Sequence, residues 1–441
     1  MTLNSLNSLD INKLHPQDTL CDCGATHSFN TQRVSLYSGA IEELEELMVD
    51  ILPPLSKVLI ISDDKNVDSG IVRQAEKILI KQKYRVSLYT FDTDLLGTTA
   101  EADLVEVGET TKFIIGIGGS EICDITKYVS AKENLESAFI ITCPTACVRS
   151  LAPSALLDFG ELEEIFKTPV FKFMLCDTYF LKVETDTKLA GAFGELFSKF
   201  IALLDYNVAH FVAKEPFCKE ILRQGFLILD DGLKLLERKG KMDSVEIANI
   251  ALKFSALTQL SGNSRLFSGG ESQSAHALRI LLAREERKIL NRGEAEFILA
   301  RALACIYQRF LGTRTRFFTP PPDNNMRLER IEEFLGIDEK SAIKKIRPVL
   351  EAKKGEIQSY RLNENREELF SVASLNATRF KKSLKIFKGI YEDDGFWLGT
   401  ALDSSDTALS ISLGPDLKDK FTLLSHMKDM GLLDEYIKEL I

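Results

Sequence analysis

Between about residues 33 and 181 the chain alternates short apolar runs with amphipathic stretches. The runs are RVSLYSG, KVLIISDD, YRVSLYTFD, KFIIGIGG, SAFIITCPT and FKFMLCDTYFL. Near-continuous β-branched and aromatic runs, separated by segments long enough to form helices, predict a parallel sheet covered on both faces. After about 184 the strand signals give out. Apolar positions then recur every three to four residues over 186–213, 216–238, 244–260, 272–289, 293–312 and 327–336, which predicts helices. Two breaks interrupt this half: FFTPPPDNN at 317–325, with its three consecutive prolines, and the polar stretch DSSDTALSISLGPD at 403–416. The pattern predicts an α/β N-terminal domain over 1–180 and an all-α C-terminal domain over 181–441, with no internal repeat.

Composition narrows the class. A chain of 441 residues that is 45% hydrophobic and 27% charged can bury a large core in at least two domains. Its net charge of -10 argues against a nucleic acid or an anionic membrane as the main partner. The pattern has no run of eighteen consecutive apolar residues, so no membrane span is expected. MTLNSLNSLDINKLHPQD lacks the basic start and apolar core of a signal peptide, and a cytoplasmic protein is expected. The eight cysteines, at 21, 23, 123, 143, 147, 176, 218 and 305, fall mostly in apolar segments and suit reduced thiols. Cys21-Asp-Cys23 with His27 suggests zinc, but no second pair follows, and a structural zinc site needs four ligands. A compact N-terminal turn is the plainer reading.

The most chemical stretch of the first half is Gly116-Ile-Gly118-Gly119-Ser120-Glu121-Ile-Cys-Asp124-Ile-Thr-Lys127, between an apolar strand and a helix. Glycines let a backbone approach a phosphate, and the following helix N-terminus offers free N–H groups and partial positive charge. Asp63, at the end of LIISD, is placed to hold a ribose hydroxyl or, equally, to cap a helix. Cofactor-binding candidates are Asp63, Gly118, Gly119, Ser120, Asp124, Lys127, Thr142 and Thr145.

Taken in order, CDCGATH at 21–27, GIGGSEICDITKY, CPTACVRSLAPSALL, LAGAFGELFSKFIALLDYNVAHFVAKEPFC, SGGESQSAHAL, NRGEAEF and LKDKFTLLSHMKDMGLLDEY resemble one family. They look like the bacterial-type sn-glycerol-1-phosphate dehydrogenases, within the dehydroquinate synthase-like and iron-dependent alcohol dehydrogenase superfamily. The resemblance implies a Rossmann-like N-terminal domain, NAD or NADP as cofactor, a small phosphorylated substrate, and a divalent metal, usually zinc, held by one acidic residue and two histidines. Carried over by motif, the acidic ligand falls on Glu195 and one histidine on His276. The other belongs where Arg292 stands.

A guanidinium has five donors and no lone pair to offer, so Arg292 cannot ligate a metal. Two ligands remain where catalytic zinc sites usually have three, and a bound metal is expected to be absent. The resemblance also shows Ser120 in place of a glycine, Glu121 in place of a neutral or basic residue, Ser150 in place of an aspartate and Ser272 in place of a further histidine. Glu121 beside a pyrophosphate predicts weak cofactor binding. Glu195 and Lys199 form either a plain i,i+4 pair or, given Ala192, Phe193, Leu196, Phe197 and Phe200 around them, part of a buried site facing the Gly118-Gly119 turn. Arg292 at a helix start opposes the macrodipole, and Glu195 or Glu294 is expected to compensate it. His276 by itself reads as a core histidine; with the resemblance it reads as a site residue. Three readings stay open. One is an NAD(P)-dependent oxidoreductase acting on a small polyol phosphate. The second is another phospho-substrate enzyme in which Glu195, His276 and Arg292 serve a different chemistry, with Arg292 anchoring an anion. The third is a catalytically silent relative with a binding or assembly role. A homo-oligomer is open in each.

Overall fold

A computed structural model describes residues 3–92, 97–159, 162–181, 186–239, 243–313, 323–336, 356–390 and 402–438. The chain divides into two compact units, the first Met1–Ala192 with Met242–Ser264 and the second Phe193–Lys241 with Arg265–Ile441.

Among the described residues the first unit carries ten strands: β1 Gln17–Leu20, β2 Thr26–Phe29, β3 Arg33–Tyr37, β4 Lys57–Asp63, β5 Arg85–Phe91, β6 Thr111–Gly118, β7 Glu136–Ile141, β8 Ser154–Phe159, β9 Leu162–Lys167 and β10 Phe173–Asp177. Six of them form a parallel sheet in the order β3-β10-β7-β6-β4-β5. Its central strands are buried on both faces, as continuous apolar runs require. Val58, Ile60, Phe113, Ile115, Ile117, Ile140 and Phe173 share one core with the helices Leu44–Ile51 and Ile71–Lys81. From β4 the chain moves outward to β5 and then returns to β6 on the other side of β4. The order therefore reverses between β4 and β6, and a parallel sheet leaves a crevice beyond the strand ends at such a point. The groups at those ends are Asp63 and the Gly118-Gly119 turn.

Two antiparallel hairpins, β1-β2 and β8-β9, were not among the expected elements, because their four- and six-residue strands carry mixed polarity. The expected single boundary at 180/181 also differs from the structure, since residues 242–264 return to the first unit. Helix Ser244–Ser261 is apolar nearly all round, so its periodicity marks a helix without marking which unit encloses it. Its few polar side chains fasten it there: Gln259 accepts from Asn30 N at 2.6 Å and donates to Leu151 O at 2.9 Å, and Ser255 accepts from Leu151 N at 2.9 Å.

The described elements of the second unit are helical. Most of helix Asp186–Val208 falls in it, followed by Lys219–Lys239, Gly270–Arg284, Arg292–Gly312, Asn324–Leu335, Glu356–Glu364, Arg366–Ile390, Ser404–Leu417, Leu423–Asp429 and Leu433–Lys438. Phe193, Phe197, Phe200, Phe226, Phe297 and Phe380 pack ring against ring through its middle. Lys188–Ala213 is long and apolar enough to cross a membrane, but its most apolar part is mostly buried in the protein, as in a core helix. The expected polar break at 403–416 is instead helix Ser404–Leu417. Asp403 and Asp406 close a capping box at its start, and Gly414 brings it within 2.7 Å of the Gln273 backbone, measured from the position of an added Cβ. Close packing of small residues overrode the weak helical signal. The prolines at 320–322 and Trp397 lie outside the described residues.

Candidate functional site

The candidate residues fall into two groups, one in each unit. In the first, β6 runs into helix Ser120–Lys132 through Gly119, which has no side chain to cap the helix. The three glycines have different duties. A Cβ on Gly116 would lie 2.2 Å from Thr126 Oγ1 and 2.7 Å from the Phe139 ring, and one on Gly118 would lie 2.8 Å from Ile122, so these two permit strand–helix packing. A Cβ on Gly119 would meet its nearest neighbours, Cys143 and Glu121, only at 3.6 Å. Space is left beside Gly119, at the helix N-terminus. Glu121 is exposed in the first helical turn with its carboxylate beside that space. Ser120 is buried, and Thr142 N donates to Gly118 O at 3.1 Å, so Thr142 adjoins the turn. Thr145 Oγ1 lies 3.0 Å from Cys143 Sγ, at the start of the loop 143–153.

Asp124 and Lys127 have structural tasks that the sequence did not announce, and Asp63 has one that it did. Asp124 pairs with Arg149 at 2.9 Å, and both are buried or nearly so. Lys127 is fully buried and donates to three carbonyls, Arg149 O and Ala152 O at 2.9 Å and Ser154 O at 3.1 Å, with Phe171 beneath it. Burial pushes its pKa down. These two residues, expected to hold a cofactor, hold the loop 149–154 instead; the i,i+4 position of Lys127 on an apolar helix face turns it inward. Asp63 accepts from Asn66 N at 2.9 Å and Asn66 Nδ2 at 2.7 Å, the helix-cap alternative of its reading. Ser150, likewise, is buried with its N–H bonded to Ala146 O.

In the second unit the helix Asp186–Val208 buries Glu195, Lys199 and Asp205 on its apolar surface. Lys199 is fully sealed. Its Nζ donates to Glu296 Oε2 at 2.5 Å and lies 3.5 Å from Glu271 Oε1, and Glu195 adds to the negative field around it. These carboxylates outweigh desolvation and hold its pKa above the usual lysine value. Glu271 is pushed up to about 7, first by burial, and its Oε2 has no hydrogen-bond partner among the described residues. Ser198 Oγ lies 2.8 Å from Glu195 O and 3.2 Å from Glu296 Oε2. Asp205 accepts Gly270 N at 2.7 Å and Leu423 N at 2.8 Å, the first amides of two helices, and Tyr307 Oη–H at 3.2 Å. Burial still raises its pKa to about 6. The sequence reading missed Glu271, Glu296 and Asp205. Their signal was present: acidic residues inside apolar helical segments are costly unless paired, and Lys199 is a cation available to pair Glu271 and Glu296.

His276 is buried on helix Gly270–Arg284, and Arg292 is half-buried as the first residue of helix Arg292–Gly312. Glu294, one of the two anions expected to compensate Arg292, is committed to a capping box: it accepts Asn291 N at 3.1 Å while its own N–H donates to Asn291 Oδ1 at 2.9 Å. Of the three positions carried over by motif, Glu195 and His276 have lone pairs to offer a metal and the Arg292 guanidinium has none. The Lys199 ammonium stands in the field of Glu195.

A second cationic group lies nearby in the same unit. Lys418 Nζ donates to Ser272 Oγ at 3.1 Å, Gln273 Nε2 donates to Lys420 O at 3.0 Å, and Arg265 bonds Phe421 O at 2.7 Å and pairs with Glu215. Removal from water, with Arg265 and Lys418 close by, lowers the Lys420 pKa to about 7.

Comparison with known proteins places this architecture. Residues 35–148 match the family model described as iron-containing alcohol dehydrogenase. Among solved structures, an alcohol dehydrogenase from an archaeal halo-thermophile of a Red Sea brine pool superposes with a TM-score of 0.59 at 10% identity, over 94% of this chain and 98% of that one. The chain has the fold of that solved alcohol dehydrogenase, and its residues 35–148 are similar to the iron-containing alcohol dehydrogenases. Its sequence is also similar to glycerol-1-phosphate dehydrogenases [NAD(P)+]. It is 22% identical to that of Methanosphaera stadtmanae over 55% of this chain and 69% of the relative. It is 23% identical to that of Bacillus licheniformis over 66% of this chain and 74% of the relative. Other such matches cover as little as 51% of the relative. These relatives are NAD(P)-linked dehydrogenases by name.

Proposed function

We propose that this protein binds NAD or NADP weakly at the Gly118-Gly119 turn and takes a small polyol phosphate in its second unit, as a glycerol-1-phosphate dehydrogenase-like oxidoreductase with a degraded metal site. The observation that carries the phosphate half of this reading is the group Arg265, Lys418 and Lys420. The field of Arg265 and Lys418 and removal from water depress the Lys420 pKa, and an anion is the ligand that relieves such a field. The cofactor half rests on the order reversal between β4 and β6, the unclashed approach at Gly119 and the first amides of helix Ser120–Lys132. When bound, the nicotinamide supplies the hydride acceptor. This chain's own residues seat its pyrophosphate and hold the substrate's phosphate.

A catalytically silent relative is the second reading, and Arg292 at the position where the resemblance puts a metal-binding histidine favours it. Arg292 also remains a candidate anion anchor through its fork of donors. The protein is expected to work in the cytoplasm, without nucleic acid or membrane, and homo-oligomerisation is compatible with the reading. NADH and NADPH titration followed by nicotinamide fluorescence tests the cofactor claim, and no binding of either would end it. Affinity for sn-glycerol 1-phosphate tests the anion claim. Lys420 is charged below about 7, so affinity is expected to be full below that pH and to fall as pH rises through it. Lys420→Met is expected to weaken binding and remove the pH dependence. Unchanged affinity in that variant would overturn the anion assignment. Turnover with both ligands bound separates the enzyme from the silent relative.

A further inference from the structure

The β1-β2 hairpin closes around a turn that the proposed oxidoreductase chemistry does not use. Cys21 N donates to Ala25 O at 3.1 Å, Gly24 N donates to Cys21 O at 2.9 Å, and Gly24 has a φ of +85°, the left-handed conformation such a tight turn requires. This fold brings Cys21 and Cys23 to the tip and places His27 opposite Thr19 on the return strand, with its ring buried. The Sγ atoms of Cys21 and Cys23 and a ring nitrogen of His27 lie within 4.8 Å of one another.

The ring is oriented by its second nitrogen. His27 Nδ1 is 2.7 Å from Leu260 O, in the last turn of helix Ser244–Ser261, where carbonyls lack helical partners. A carbonyl can only accept, so Nδ1 carries the proton and Nε2 presents its lone pair. Nε2 is 3.4 Å from Cys23 Sγ. A carbonyl that fixes the tautomer while the other nitrogen faces the ligand cluster is the arrangement found around metal-bound histidines. Tetrahedral zinc, with Zn–S of about 2.3 Å and Zn–N of about 2.0–2.1 Å, sets ligand atoms roughly 3.5–3.8 Å apart. The Cys23–His27 separation is already close to that spacing, and the others need to contract by about 1 Å at most. Two thiolates and an imidazole select a borderline-soft cation over magnesium or calcium.

We propose that the Cys21–His27 turn binds one zinc ion through Cys21 Sγ, Cys23 Sγ and His27 Nε2, with a fourth ligand from outside the hairpin. Each thiol gives up its proton on binding, and the ion pins the β1-β2 turn against helix Ser244–Ser261 through the His27 bond to Leu260. This site is separate from the positions Glu195, His276 and Arg292.

The test is metal content of the full-length protein, incubated with zinc and freed of excess, together with cobalt substitution. One zinc per chain is expected, and it is expected to be lost in Cys21→Ser/Cys23→Ser and retained in His276→Ala. Cobalt in the unaltered protein is expected to give an intense thiolate-to-cobalt charge-transfer band, a readout that does not depend on any variant folding. Protein that takes up no zinc, zinc kept by the double serine variant, or a cobalt spectrum without that band would each overturn the proposal.

Discussion

Lys127 in the first unit and Lys199 in the second are both sealed from solvent, and each lies on a helix that the sequence marks as apolar. Lys127 is met by three neutral carbonyls and its pKa is lowered; Lys199 is met by carboxylates and its pKa is raised. The carbonyls let Lys127 act as a rivet for the loop 149–154, at the cost of desolvating one charge. Around Lys199 the charges are mutual. Glu195, Glu271 and Glu296 are tolerable inside the protein because the lysine is there, and it is tolerable because they are. Glu195, four residues before Lys199 on the same helix, adds to the negative field around the lysine.

The largest expected effect breaks this comparison directly. Lys199→Met strands Glu271 and Glu296 without their cation and is expected to cost about 3–5 kcal/mol at pH 8. Lys127→Met leaves carbonyls unpaired but strands no charge, and a loss of about 1–3 kcal/mol is expected. The two should also differ in pH dependence. Glu271 titrates at about 7, above the usual carboxylate range, so the folded state holds that proton more tightly than the unfolded chain does. Below that pH the carboxyl is neutral and the absence of Lys199 matters less. The Lys199→Met penalty should therefore shrink as pH falls from 8 to 5, while that of Lys127→Met stays level. Denaturant unfolding at the two pH values checks this, and equal, pH-independent losses would dissolve the distinction.

A smaller effect sharpens the same contrast within the glycine turn. Gly116→Ala drives a methyl into Thr126 and Phe139 and is expected to cost about 1–3 kcal/mol. Gly119→Ala has room and is expected to change stability by less than about 0.5 kcal/mol, while weakening NADH, because the space it fills is the space proposed for the pyrophosphate. A Gly119→Ala variant with unchanged NADH affinity would move the cofactor away from this turn. In the same space, Glu121→Thr removes one like charge and should tighten NADH by about tenfold, near 1.4 kcal/mol. Fluorescence titration of the variant beside the unaltered protein reads it.

The sequence alone determined the elements whose signal is local. Uninterrupted β-branched runs announced the six strands of the parallel sheet, and the 3.6-residue period announced the helices from 186 to 312, because each pattern is dictated by the burial its element needs. The glycine turn was legible for the same reason: tight strand–helix packing demands Gly116 and Gly118 at fixed spacing. Burial of Glu195 and His276 was also readable, from apolar neighbours and from motif order. Only the tertiary structure decided the rest. Lys127 read as a cofactor-binding residue until its helix face turned it toward the loop carbonyls. Residues 403–416 read as a break until Gly414 let a helix sit against the Gln273 backbone. Helix Ser244–Ser261 joined the first unit through Gln259 and Ser255. Lys199, Glu271 and Glu296 came together from three helices separated by 72 and 97 residues of sequence. A buried charge must find its partner in space, whatever the distance along the chain, and periodicity carries no record of that partner's position.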